Sequence, residues 1–323
     1  MNNWLLALSA TGLLLVPAAV AAQSTVKIEK VPYKGWPNCY RMTNGQVEVI
    51  VTSDVGPRVI RFRFMGGDNE FKEFPDQVGR TGGKDWVMYG GHRLWHAPEG
   101  MPRSYSPDNS PIKVVSGNGM IRAIQPVEPT TGIQKQIEIR MAERQPYVEV
   151  VHRLTNHNLW AVELAPWAMG MMAPGGLATI PLPPSGTHPQ MLDAANPLSV
   201  WAYTDLRDKR CTLDFKYISL RQDPKATAPQ KIGAGVPDGW SAYCRNGHLF
   251  VKKFAFTKGA HYPDFGSSVE TFTNAEMLEL ETVAPLTRLE PGATVDHVER
   301  WFLFKDVKLE ATDDVSTKRY CRW

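Results

Sequence analysis

The sequence predicts an all-β protein of antiparallel sheets, a sandwich or a barrel. Two observations carry this. Segment after segment alternates apolar and polar residues, or clusters β-branched and aromatic ones, and most are bounded by Gly, Pro, Asn or Asp. Beyond the N-terminal stretch, nothing shows the spacing and caps of a long amphipathic helix, which argues against helical crossovers and parallel sheets. No repeat of roughly 20–50 residues is apparent, which disfavours propellers and solenoids.

In chain order, residues 1–22 read as a secretory signal peptide. Trp4 to Val20 is almost wholly apolar, and Val20-Ala21-Ala22 offers the small residues of a cleavage site before Gln23. The start of the chain carries no Lys or Arg, so an uncleaved anchor is the rival reading; Pro17 and the small-residue run favour cleavage. The expected localisation is therefore export, periplasmic or secreted. No later segment reaches about 18 apolar residues, so no stable membrane insertion is expected after cleavage. Residues 23–323 are expected to form a single domain.

The strand signals follow. GQVEVIVTS (45–53), PRVIRFRFM (57–65), IQKQIEIRMA (133–142) and YVEVVHRLT (147–155) come first. CTLDFKYISL (211–220), HLFVKKFAF (248–256), SSVETFTN (267–274), EMLELET (276–282) and HVERWFLF (297–304) complete the series. In EMLELET the period of two puts Leu278 and Leu280 on one face and Glu279 and Glu281 on the other. By itself that is a solvated strand face. Two proline-rich stretches, 97–111 and 174–199, interrupt the pattern, and ordered loops of that length often line sites. The second is open to a linker reading, although strands of the same character continue on both sides.

Four cysteines, Cys39, Cys211, Cys244 and Cys321, permit two bridges in an exported chain. The expected pairing is Cys211 with Cys244 and Cys39 with Cys321. No CxxC pair is present, so a zinc knuckle is excluded. Net charge is +3 with both signs interspersed, which leaves no basic stripe for nucleic acid. Neither a nucleic-acid partner nor a cofactor is expected, and oligomeric state is not legible.

The densest polar-aromatic cluster is GGHRLWHAPEG, residues 90–100. The flanking glycines and Pro98 argue against a helix, and on a strand His92 and His96 lie roughly 13 Å apart, too far to share a metal. Arg93 and Trp95 share the other face. They suit hydrogen bonding and ring stacking on a sugar, or Trp95 is core and Arg93 its surface neighbour. Asp205 and Asp208 precede a strand, where acids often close turns. His261, Tyr262 and Asp264 sit at another turn, and Asp264 either binds a hydroxyl or caps that turn. His157 marks a hairpin turn. No GxSxG elbow, P-loop, HExxH or Rossmann glycine pattern is present.

Taken together, GPRVIRFRF, GGHRLWHAPE, LTNHNLWAVELAPW, WAYTDLRDKR and YPDFGSSVETFTNAEMLELETVAPL…LEPG…HVERWFL resemble the galactose mutarotase-like (aldose 1-epimerase-like) superfamily, within it a secreted bacterial branch. The resemblance implies a large antiparallel β-sandwich, the supersandwich. It also implies that Glu281, before the Pro291-Gly292 turn, is the base and that Arg93 contacts the sugar. The superfamily's acid histidine falls where this sequence has Trp167, so His96 or His261 would have to replace it. Glu279 beside Glu281 would tune its pKa by like charge.

Three functions follow as expectations, all with a sugar or oligosaccharide ligand. One is an enzyme acting at the anomeric centre, with Glu281 as base. Another is a non-catalytic binding protein, with Trp95 and Trp167 stacking on the sugar and Glu279, Asp205 and Asp264 taking hydroxyls. The third is a glycosidase or lyase pairing Glu281 with an acid from the 201–208 segment.

Overall fold

The computed structural model describes residues 25–184, 186–309 and 314–321; the expected signal peptide lies outside them. The chain first lays down a five-strand meander: β1 (Lys27–Tyr33), β2 (Trp36–Thr43), β3 (Val47–Val51), β4 (Arg58–Phe64) and β5 (His92–Ala97). It crosses to a second sheet for β6 (Lys113–Gly117), β7 (Met120–Ile124), β8 (Ile133–Met141) and β9 (Tyr147–Asn156). It returns with the long β10 (Val162–Met172), which pairs with β5.

Thereafter it alternates between the sheets. β11 (Leu177–Pro181), β13 (Cys211–Leu213), β14 (Tyr217–Arg221), β16 (Trp240–Arg245) and β17 (His248–Phe254) join the second sheet. β12 (Leu198–Val200), β15 (Gln230–Ala234), β18 (Val269–Thr273) and β19 (Leu278–Val283) join the first, and β20 (Thr287–Leu289) pairs with β10. β21 (Thr294–Phe304) closes the second sheet between β17 and β9.

The result is two large antiparallel sheets of 11 and 10 strands, as the all-β sandwich reading requires. The first runs β1-β2-β3-β4-β5-β10-β19-β18-β15-β12, so its centre is assembled from segments far apart in sequence. One apolar cluster joins the sheets. Phe62 of the first sheet meets Phe250 and Trp301 of the second at 5.9 and 5.8 Å between ring centroids. The 174–199 stretch is not a linker: β11 within it is fully buried and pairs with both β14 and β16.

The expected disulfides do not form. Cys211 is in register with Leu220, then Ala178, then Tyr243, so β13 and β16 stand three strand spacings apart. That separation is about 14 Å, against the roughly 6 Å a disulfide tolerates between Cα atoms. Cys39 packs with Trp36 and Tyr89, whereas Cys321 packs with Tyr217 and Trp240 in a different cluster. The even count in the sequence suggested pairing, but which strands become neighbours decided against it.

Candidate functional site

The outer face of the first sheet carries a cavity of about 250 Å³ over β5, β10, β19, β18 and β15. Its floor follows from strand register. Arg93, Met169, Glu281 and Glu270 occupy one row across β5, β10, β19 and β18. Met171, Glu279, Phe272 and Lys231 form the next, ending on β15. Trp95, Trp167 and Val283 form the row on the other side. Side chains at matching register on one face are forced together, so these residues meet although they span the sequence from 93 to 283.

The turn feeding β5 explains the glycine pair that opens GGHRLWH. Gly90 and Gly91 have φ of 102° and 78°, and a Cβ there would meet Lys72 O at 2.1 Å and Val59 O at 2.5 Å. Only glycine fits both the conformation and the approach.

Arg93 is buried, with its guanidinium 4.8 Å from the ring of Trp86 and 5.1 Å from that of Trp95. Nη2 lies 3.6 Å from Asp108, while Nε and Nη1 have no hydrogen-bond partner among the described residues. Burial lowers its pKa to about 10, Asp108 opposing, so it stays charged at neutral pH. Lys231 sits between two carboxylates, 2.7 Å from Glu270 and 3.2 Å from Glu281, and its ammonium lies over the rings of Trp167 and Trp201. Burial alone would lower the Lys231 pKa, but the facing glutamates raise it well above the usual lysine value. Burial raises Glu270 well above the carboxylate range, and Glu281 adds to this against Lys231.

Glu279 and Glu281 differ sharply. Glu281 is fully buried; its Oε2 accepts from Trp167 Nε1 at 2.7 Å and from Lys231. It does not line the cavity, while Trp167 and Lys231 do. Glu279 lines the cavity and accepts no hydrogen bond from the described residues. Burial, then the charge of Glu281, push its pKa up to about 8, with Lys231 and Arg93 opposing. Its carboxyl is thus mostly protonated at neutral pH and able to donate.

Of the residues singled out in the sequence, Arg93, Trp95, Trp167 and Glu279 come together on this cavity. His96 points to the opposite face of β5, and His261 is an exposed turn residue whose carbonyl accepts from Leu286 N. Neither lines the cavity. Asp205 and Asp208 are engaged by Arg207 and Arg210 in the turns before β13. Asp264 adopts φ of 50°, and its carbonyl accepts from Ser199 and Ser267, which makes it a turn residue. Trp86, Tyr105, Tyr203, Lys231 and Glu270 were not anticipated. The first four lie in or near loops, or in a strand too short to show alternation, and only tertiary pairing brings them here.

Between the sheets lies a second polar cluster. His92 Nε2 and His152 Nε2 are 2.6 Å apart, and His152 Nδ1 donates to His297 O at 3.1 Å. Glu299 accepts from Thr282 at 2.6 Å and from Trp301 at 2.7 Å, and lies 3.0 Å from Lys252 Nζ. His92, His152 and Glu299 are close enough to suggest a metal centre. However, two nitrogens on one tetrahedral zinc stand about 3.3 Å apart. The shorter separation here is a hydrogen bond, and the Lys252 ammonium already faces the carboxylate. The signal was present in the sequence: Lys252 shares parity with Phe250 and Phe254, and Glu299 with Trp301 and Leu303.

This two-sheet architecture is the galactose mutarotase-like fold. The chain is similar to a galactose mutarotase-like protein from Lactobacillus casei ATCC 334, with a TM-score of 0.57 and 8% identity, covering 83% of this chain and 100% of that one. It is also similar to a putative aldose 1-epimerase from Klebsiella pneumoniae subsp. pneumoniae MGH 78578, with a TM-score of 0.56 and 11% identity over 87% and 84% of the two chains. A TPR-domain containing protein from Parabacteroides distasonis ATCC 8503 gives 0.55 at 15% identity, covering 86% of this chain and 48% of that one. No family model and no curated protein matches the sequence.

Proposed function

We propose that the chain is an exported carbohydrate-binding protein whose ligand occupies the cavity floored by Arg93, Glu279 and Lys231. The observation that carries this is Arg93. A buried guanidinium clamped between two tryptophans, with Nε and Nη1 unpartnered among the described residues, calls for an acceptor from a ligand. Glu279 adds a carboxyl that accepts no hydrogen bond from the described residues, and Trp86, Trp95, Tyr105 and Tyr203 supply aromatic walls. Aromatic faces beside hydroxyl-binding groups match the two-sided character of a sugar ring. Structural neighbours described as mutarotase-like and as a putative aldose 1-epimerase support the same ligand class. Export rests on the N-terminal pattern of the sequence. Calorimetry with mono- and oligosaccharides tests the proposal. Binding that Glu279→Ala and Trp86→Ala each weaken about tenfold is expected, and binding indifferent to both variants sinks it.

A second reading, action at the anomeric centre, is favoured by the protonated, cavity-facing Glu279. In this reading Glu279, in place of the histidine absent at Trp167, gives its proton to the ring oxygen as the ring C–O bond breaks and the anomeric hydroxyl loses its proton to water. Polarimetry of freshly dissolved hexoses decides it: no acceleration over buffer removes the enzyme reading, and acceleration that survives Glu279→Gln removes Glu279 as the acid. The paired-carboxylate reading gains no partner acid from Asp205 or Asp208, because arginines already hold both.

A further inference from the structure

A second cavity, of about 330 Å³, opens on the other side of the segment that follows β5. Glu99 and Tyr105 of that segment line the first cavity; Pro102 and Arg103 line this one, with His96, Thr131, Asn158 and Trp160. No residue lines both. Its volume falls within the roughly 300–1,000 Å³ of small-molecule sites.

Two features mark it as built. His96 is only 1% exposed, yet neither ring nitrogen has a hydrogen-bond partner among the described residues. Glu128 lies 3.8 Å from Nε2, beyond hydrogen-bond reach, and is held by Lys135 at 2.5 Å and Thr131 at 2.6 Å. His96 lines this cavity, and a neutral imidazole carries one donor and one acceptor nitrogen. At the rim, Trp160 is 65% exposed and its neighbour Leu159 90% exposed.

That exposure is held in place. Asn156, fully buried, donates Nδ2 to Trp160 O and to Leu289 O, each at 2.9 Å. Its Oδ1 accepts from Asn158 N, and Asn158 Nδ2 donates to Thr131 O. A buried asparagine thus fixes the turn that displays the indole.

We propose that this cavity is a second saccharide site, distinct from the first, which takes a neutral hexose unit with one face on Trp160 and hydroxyls on His96 and Asn158. Charge supports a neutral ligand, because the lining side chains Arg103 and Glu163 are of opposite sign. An apolar side chain docking on Trp160 would leave the buried imidazole unsatisfied, whereas a hydroxyl both donates and accepts. Burial lowers the His96 pKa, against Glu128, which keeps the ring neutral at pH 7 and suited to hydroxyls.

The test observes the indole N–H resonances of the full chain by NMR, with Trp160 assigned through Trp160→Phe and Trp86 through Trp86→Phe. Methyl β-galactopyranoside, cellobiose and maltose are titrated to about 10 mM. The expected result is a shift of the Trp160 resonance with at least one probe. His96→Phe and Asn158→Ala should each reduce that apparent affinity about three- to tenfold and leave the Trp86 response intact. A Trp160 resonance unmoved by all three probes overturns the second site, and so does one that moves with protein concentration instead of saccharide. A shift that survives both variants reduces the contact to surface stacking and overturns it as well. Movement of Trp86 alone sinks this proposal and leaves the first cavity's function standing; movement of Trp160 alone does the reverse.

Discussion

Trp167 donates its indole N–H to Glu281 across 2.7 Å, and this bond holds the glutamate behind the residues that line the cavity. Lys231 completes the arrangement from the other side, 3.2 Å from the same oxygen. The carboxylate that superfamily resemblance marks as the base is therefore engaged, while Glu279, two residues earlier on the same face, stands open.

The first prediction concerns this floor. Lys231→Met leaves Glu270 and Glu281 buried without their shared cation, and should cost about 3–5 kcal/mol in urea unfolding. Glu281→Gln keeps an acceptor for Trp167 and should cost only about 1–2 kcal/mol, with saccharide binding retained. Loss of binding in Glu281→Gln with a normal fold would show that Glu281 itself contacts the ligand.

Glu279 should make stability depend on pH. Its unfolded pKa is about 4.3, and its folded value is raised to about 8 by burial and Glu281. Between those values the folded state holds a proton that the unfolded state lacks. Its contribution is thus full below about pH 4 and is lost as pH rises through about 8. Urea titrations between about pH 5 and pH 9 should show a steeper decline in wild type than in Glu279→Gln. Equal slopes would place the Glu279 pKa in the ordinary range.

The interior histidines act with the opposite sign. Burial lowers His92, His152 and His297, the last to about 3, with Glu299 opposing the shift at His152 and His297 and Lys252 adding to it at all three. An unfolded histidine binds its proton near about pH 6.5. The stability these rings contribute is therefore present above that pH and is lost as pH falls toward their folded values. Thermal midpoints taken from about pH 7 down to pH 4 should fall more steeply in wild type than in His297→Asn. This slope opposes that of Glu279 between about pH 4.3 and 6.5, so each variant is read against wild type at the same pH.

Gly91→Ala should destabilise by at least about 2 kcal/mol, because the new Cβ would meet Val59 O at 2.5 Å at a φ of 78°. It should also weaken saccharide binding, since this turn sets the register that presents Arg93. A near-neutral Gly91→Ala would mean that the turn relaxes freely.

The strand content was legible because alternation is local. GQVEVIVTS, YVEVVHRLT and HVERWFLF each became strands. Period two also placed Arg93 with Trp95 and Glu279 with Glu281, and the structure keeps both pairings. Parity carried one signal that went unread, the inward-facing Lys252, His152 and Glu299.

What the sequence determined, then, was which side chains share a face of a strand, since the pleat alone dictates that. Tertiary structure decided which strands become neighbours: β5 beside β10, β10 beside β19, and β18 beside β15. Those pairings brought Lys231 onto Glu270 and Glu281, and turned an alternating acidic strand into a buried one. They also kept Cys211 from Cys244, and put His96 in a cavity of its own. The physical reason is that hydrogen-bonded pairing joins segments up to a hundred residues or more apart, and no local pattern encodes the register at which they meet.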